Sequence, residues 1–237
     1  MSAAGPRGEE RELKLGIPDE RALHALIERV GGRVDLPAVQ ENHFFDSPGF
    51  VLRDRRLGLR IRHEQGEFTL TLKGPSRSEG AGPLTVRAEL EIALDAARAH
   101  AALEGALPIT ALLDLLEPLA IRTRQEALLE SVRSAGREAP LHPIGSFRNT
   151  RTRVHTALDA DGASVPVVLE FDRTEFAPGD VRCEVELELD DAMPQEALQH
   201  ALERSFREVG VEPQPTSSKL GYFLERLSSA APPRSTR

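Results

Sequence analysis

The sequence is poor in cysteine, in basic charge and in long apolar runs. One cysteine among 237 residues, Cys183, excludes an internal disulfide. It stands in an alternating run of Val181, Cys183, Val185 and Leu187, where only Arg182 would favour a thiolate. It therefore reads as a small apolar residue on a packed face, without chemistry. Lysine and arginine number 30 against 38 acids, a net charge of −8. That balance argues against a generic grip on nucleic acid or on an acidic membrane surface, so any bound anion must meet a local basic cluster. No run approaches membrane-spanning length, and Met1 to Glu9 lacks the apolar stretch of a signal peptide. The expectation is a cytoplasmic protein, monomeric or homodimeric, with no nucleic-acid or membrane partner. Its 40% hydrophobic content is enough for a core.

What the sequence does contain is a set of short segments in which charged residues alternate with apolar ones at strand spacing. They are Glu10-Arg11-Glu12-Leu13-Lys14, Leu59-Arg60-Ile61-Arg62, Phe68 to Lys73, Arg87-Ala88-Glu89-Leu90-Glu91 and Glu184-Val185-Glu186-Leu187-Glu188. Successive side chains of a strand point to opposite faces, so each segment packs one apolar face and gathers its charges on the other. Some of these faces are acidic and some basic, which suggests one sheet surface that holds metal ions and a polyanion.

Along the chain, the first strand is expected from Glu9 to Leu15. A helix follows from Asp19 to Val30, with Leu23, Leu26, Ile27 and Val30 on one face and Gly31-Gly32 at its end. One strand is expected from Arg33 to Asp46. Leu57 to His63 and Phe68 to Gly74 flank Glu64-Gln65-Gly66-Glu67 as a hairpin, and Pro75 to Pro83 reads as a mobile loop. After a strand over Leu84 to Leu94 comes a helical middle with helices over Ala96 to Leu103, Ile109 to Leu116 and Gln125 to Val132. Strands resume over Phe147 to Ala157, Val165 to Phe176 and Val181 to Leu189. Helices over Pro194 to Val209 and Ser217 to Leu227 close the chain. Strands from both halves surround a helical insertion, so the fold class is α+β with an antiparallel, barrel-like sheet. Residues 1–8 and 229–237 are expected to be disordered around one domain over 9–228.

Like charges placed two apart on a strand, such as Glu10 with Glu12 or Glu184 with Glu186 and Glu188, repel unless solvent or a cation separates them. Hard divalent cations, Mg²⁺ or Mn²⁺, suit such carboxylates and keep positions open for phosphate oxygens. Arg60, Arg62, Lys73 and Lys14 would supply the phosphate-binding half. Taken strand by strand, a solvated face remains the stronger reading. Lys73 alone is equally an ordinary edge lysine.

Taken together, the segments resemble the CYTH superfamily of triphosphate tunnel metalloenzymes. The likeness rests on an ordered series: the ExExK strand at Glu10, Glu12 and Lys14; Phe44-Phe45-Asp46-Ser47-Pro48; Gly58-Leu59-Arg60-Ile61-Arg62; Thr71-Leu72-Lys73; Arg87-x-Glu89; Glu184-x-Glu186; and Ser218-Lys219. The series covers nearly the whole chain and is most similar to bacterial inorganic triphosphatases, here without the helical CHAD domain that many of them carry.

The resemblance implies an eight-stranded antiparallel tunnel with flanking helices. It implies divalent-metal-dependent hydrolysis of a triphosphate, inorganic tripolyphosphate above all. Glu10, Glu12 and Glu186 would bind metal, joined by Glu184 and Asp172. Arg60, Arg62, Lys73, Arg87, Arg151, Arg153 and Lys219 would grip phosphate. Arg151 is preferred over Arg148 because it stands four residues after Phe147. Glu89 would orient bases or a water, and Lys14 would contact phosphate or position the attacking water. Glu170 is equally a tunnel residue or a surface acid, and His43, between strand neighbours, reads as structural. Members that hydrolyse thiamine triphosphate tend to carry a tyrosine near the position of Phe44, so its absence favours a substrate without an organic group. A class IV adenylate cyclase and a non-catalytic polyphosphate- or nucleotide-binding module are the alternatives.

Overall fold

The strand that opens the chain also closes the sheet. In the computed structural model, which describes residues 8–78, 83–214 and 216–230, β1 (Glu9–Ile17) pairs with β7 (Leu84–Leu94) on one side and β10 (Asp180–Glu188) on the other. From β10 the ring continues through β9 (Ala163–Ala177), β8 (His142–Ala160), β3 (Ala38–Asp46), β4 (Gly58–Glu64) and β5 (Glu67–Lys73) back to β7. Every pairing is antiparallel, and these eight strands form a closed barrel. Two short strands lie outside the ring: β2 (Arg33–Val34) on β8 and β6 (Arg77–Ser78) on β7.

The period-two pattern decides which side of the barrel is wet. On β1, Leu13, Leu15 and Ile17 face outward into an apolar layer shared with α1 (Glu20–Val30) and α6 (Gln195–Glu208). Leu59, Ile61, Leu70, Leu72 and Leu90 face outward into a second layer. It is covered by α3 (Ala96–Leu103), the 3₁₀ helix Ile109–Leu116, α4 (Glu117–Thr123) and α5 (Glu126–Glu138). The hydrophobic cores thus lie outside the barrel, and the charged partners in each alternation are left to its interior. A third cluster, Phe44, Phe147 and Phe223, seats α7 (Lys219–Ala230) against one end.

Several boundaries differ from expectation for physical reasons. The strand expected from Arg33 to Asp46 is broken into β2 and β3 over Asp35-Leu36-Pro37, because Pro37 has no N–H for the ladder. α2 (Val51–Asp54) is too short to show periodicity; Asp46 builds it by accepting from the backbone of Ser47, Leu52 and Arg53 at 2.7, 2.9 and 3.0 Å. α4 continues directly from the 3₁₀ helix with Pro118 in its first turn, where a proline fits. α7 begins at Lys219 rather than Ser217, because the Ser218 hydroxyl accepts from Gly221 N at 3.0 Å. In the segment read as a loop, residues 77–78 pair with β7, and 79–82 lie outside the described residues, as do 1–7 and 231–237 of the expected disordered ends. Ser229 and Ala230 belong to α7.

Candidate active site

The barrel encloses a cavity of about 790 Å³ lined by charged side chains from most of its strands. Its β1–β5–β7 wall carries the first cluster. Lys73 Nζ donates to Glu10 at 3.0 Å and lies 3.2 Å from Glu89, while Arg87 meets Glu10 at 2.5 Å and Glu12 at 3.4 Å. Burial alone would push the Glu10 carboxyl up, but the charges of Lys73 and Arg87 outweigh it and hold Glu10 well below the usual carboxylate range. Glu89 goes the other way. Burial, helped by the negative charge of Glu10 against the opposing pull of Lys73, pushes it up to about 7.

The second cluster sits where β1, β10, β9 and β8 meet α7. Register places Lys14 opposite Glu186, Glu186 opposite Glu170, and Glu170 opposite Arg153. Lys14 lies 2.6 Å from Glu186, 3.4 Å from Glu12 and 3.6 Å from Glu184. Lys219, from the first turn of α7, donates to Asp172 at 2.7 Å and Glu186 at 2.8 Å and also contacts Glu184. Arg151 bridges Asp172 and Glu186 at 2.5 and 2.6 Å and contacts Glu170, which Arg153 meets at 2.9 Å. Burial would raise Asp172 and Glu186, yet Arg151 and Lys219, joined at Glu186 by Lys14, hold both low. Glu12 is pushed up by burial and by Glu186 and Glu10, although Lys14 and Arg87 pull it down.

Asp172, Glu184 and Glu186 each offer a carboxylate oxygen within 4.8 Å of the others, and all three are buried. This is a hard-oxygen donor set of the kind Mg²⁺ or Mn²⁺ takes. Of the other two expected metal ligands, Glu12 reaches this cluster through Lys14, whereas Glu10 belongs to the Lys73–Arg87 cluster.

Arg60 and Arg62 of β4 form the third cluster. Arg62 is 3.2 Å from Glu91, and Arg60 bonds Asn42 and Thr71. Behind them, Asn149 donates to Gln40 at 3.0 Å, Thr174 to Asn149 at 2.8 Å, and Gln40 to Glu64 at 2.9 Å.

Every residue expected to act on substrate or metal is therefore in or beside the tunnel. Arg151 and Arg153 share its face, Arg148 is exposed on the other, and Glu170 lines the cavity. His43 is not among the lining residues, and Cys183 is buried with its thiol pushed up to about 11 by burial. Sequence reasoning missed Gln40, Asn42, Asn149, Glu64 and Glu91. The signal for the first two was present in the alternation Gln40, Asn42, Phe44, but a search for charge passes over amides.

A closed antiparallel barrel with an ionic interior and its hydrophobic cores outside defines a tunnel protein with a charged cavity enclosed by the sheet. The CYTH domain model matches residues 8–216, and the chain belongs to that family. Over 37 residues it is 46% identical to YjbK of Bacillus subtilis (strain 168), a protein with a provisional triphosphatase assignment; the match spans 16% of this chain and 20% of that relative. Among solved structures it resembles HpAC1 from Hippeastrum, an adenylyl cyclase candidate with a dominant triphosphatase activity. The TM-score is 0.70 and the identity 22%, over 96% of this chain and 100% of that one. It also resembles a provisional adenylate cyclase from Bacillus halodurans, with a TM-score of 0.58 and 22% identity over 91% of this chain and 98% of that one. At these identities the likeness is one of fold.

Proposed function

We propose that the tunnel hydrolyses a terminal phosphoanhydride bond of a triphosphate, with inorganic tripolyphosphate as the preferred substrate and a divalent cation as cofactor. The observation that carries this reading is the interleaving of buried cations and carboxylates around the cavity of one closed barrel. A site for an anion alone would need only the bases, whereas this one also gathers Asp172, Glu184 and Glu186. Those three, with Glu12 and Glu10 on the adjoining strand, would hold Mg²⁺ or Mn²⁺, which when bound offsets phosphate charge and makes a water more acidic.

The chain's own residues do the rest. Arg60 and Arg62 take phosphate oxygens on one wall, and Lys73 and Arg87 on the next. Arg151, Arg153 and Lys219 hold the acids and the far end of the substrate. Glu89, pushed up to about 7, is poised to accept a proton from the attacking water near neutral pH. Lys14, gripped by three carboxylates, keeps like charges together and positions that water. Phe44 packs against Phe147 and Phe223 at 5.1 and 5.6 Å and offers no hydroxyl to an organic group, which favours the inorganic substrate.

The test is phosphate release from tripolyphosphate, ATP and thiamine triphosphate, each with Mg²⁺, Mn²⁺ or chelator, with cyclic AMP followed in the ATP arm. Release fastest on tripolyphosphate and abolished by chelator is expected. Cyclic AMP as the main product, or no turnover of any of the three, overturns the proposal.

A further inference from the structure

The cations of the tunnel are held in two different ways. Lys14, Arg151 and Lys219 donate straight to carboxylates. Arg60 does not. Its Nη1 donates to Asn42 Oδ1 at 3.1 Å and its Nη2 to Thr71 Oγ1 at 3.3 Å, and both acceptors are neutral. Its Nε is buried with no hydrogen-bond partner among the described residues. The nearest carboxylate oxygen, Glu91 Oε2, is 3.8 Å away and already takes the Thr71 hydroxyl at 2.9 Å, while Glu91 Oε1 takes Arg62 at 3.2 Å. Thr71 thus stands between Arg60 and the acid that would otherwise neutralise it.

Asn42 is itself held in place. Its Nδ2 points at Gln40 O, 3.4 Å away, which turns Oδ1 toward the guanidinium. Asn42, Gln40, Thr71, Asn149 and Thr174 are each no more than 2% exposed. A buried guanidinium with an idle N–H and a like charge, Arg62, two residues along the same strand is costly to maintain. Burial and then Arg62 bring its pKa down to about 10 against the weaker pull of Glu89, Glu91 and Glu10, whereas Arg87, Arg151 and Lys219 are shifted upward by their acids. Arg60 lines the cavity, so an anion arriving there would offset that cost.

We propose that Asn42 and Thr71 are positioning residues that orient Arg60 through neutral acceptors and keep it out of a direct carboxylate hydrogen bond, so that the Arg60–Arg62 wall is where a condensed phosphate docks first, without metal. The inference rests on the triphosphate reading and adds to it an order of events and two cavity-lining residues that act through Arg60.

Asn42→Asp puts a carboxylate of the same shape against Arg60. Thr71→Val removes the hydroxyl and frees Glu91 to close on it, while Thr71→Ser keeps the hydroxyl. Tripolyphosphate binding is measured by calorimetry in excess chelator, and KM and kcat are measured with metal. The wild type and Thr71→Ser are expected to bind in chelator. Asn42→Asp and Thr71→Val should weaken that binding and raise KM by about tenfold, with kcat nearly unchanged. If Asn42→Asp does not fold, the Thr71→Val and Thr71→Ser pair decides. Wild-type binding that requires metal, unchanged KM in both disruptive variants, or loss of kcat at constant KM overturns the inference. Wild-type protein that binds tripolyphosphate in chelator but never hydrolyses it overturns the hydrolysis reading instead, and the docking order is then judged on binding alone.

Discussion

Glu12 is a buried acid held among like charges. Its carboxyl is buried beside Glu186 and Glu10, and the first two of its influences, burial and Lys14, oppose one another. Glu12→Gln removes a like charge from a crowded cluster while deleting the charge of a proposed metal ligand. It is expected to lower turnover by on the order of 100-fold while the melting temperature holds or rises, which separates a site residue from a structural one. Unchanged activity would defeat the ligand role. Lys73→Ala should instead raise KM, and a fall in kcat alone would remove Lys73 from phosphate binding.

If Glu89 is the base proposed above, it sets the pH dependence. With its folded pKa raised from 4.5 to about 7, kcat/KM should climb with pH through about 7, and Glu89→Gln should abolish that limb. Because the neutral form is the one favoured in the folded protein, its contribution to stability is complete below pH 4.5 and is lost as pH rises through about 7. The charges of β1, β4, β5, β7 and β10 were legible in the sequence because charge alternating with apolar residues marks a face, whereas Arg151, Arg153, Asp172 and Lys219 came only from the family resemblance. The amide wall of Gln40, Asn42 and Asn149 was not legible, because uncharged polar residues carry no such contrast with an ordinary wet strand.

Among the elements, α7 bears most directly on the site. Phe223 fits between Phe44 and Phe147 at 5.6 and 5.7 Å, and one turn earlier Lys219 reaches the acids of β9 and β10. Gly145 makes room for the ring: its φ is +141°, and a Cβ there would lie 2.9 Å from Phe223 Cζ. Phe223→Ala is expected to cost about 3 kcal/mol of packing and to draw Lys219 out of the acid cluster. Amide exchange in α7 should then accelerate while the barrel strands stay protected. Protection equal to wild type would mean that the helix is held by other contacts, such as the Tyr222 hydroxyl, which donates to Asp180 at 2.9 Å. Strand existence and order of appearance were readable from period two, and α1 from its apolar face and the Gly31-Gly32 at its end. The break at Pro37 and the four-residue α2 were not, since one is a backbone effect inside an otherwise strand-like run and the other depends on Asp46 folding back upon it.

At the scale of the whole molecule, the net charge of −8 is uninformative about the ligand, because inside the barrel nearly every carboxylate faces a base. On the proposed reading, a metal and a substrate would compete with, and relieve, the same internal pairs. Adding Mg²⁺ or Mn²⁺ should raise the melting temperature through binding to the folded state only, and the gain should shrink in Glu12→Gln. An equal shift in both proteins would place the ion elsewhere.

The sequence alone determined which residues share a face, because alternation is local and each strand declares its wet side within a few residues. Tertiary structure decided which acid meets which base. Glu10 finds Lys73 and Arg87, Asp172 finds Arg151 and Lys219, and Arg60 is left with neutral acceptors. Those pairings depend on the register between strands far apart in the chain and on the closure of β1 against β7, and a one-residue shift would turn each charged face outward into the apolar layers.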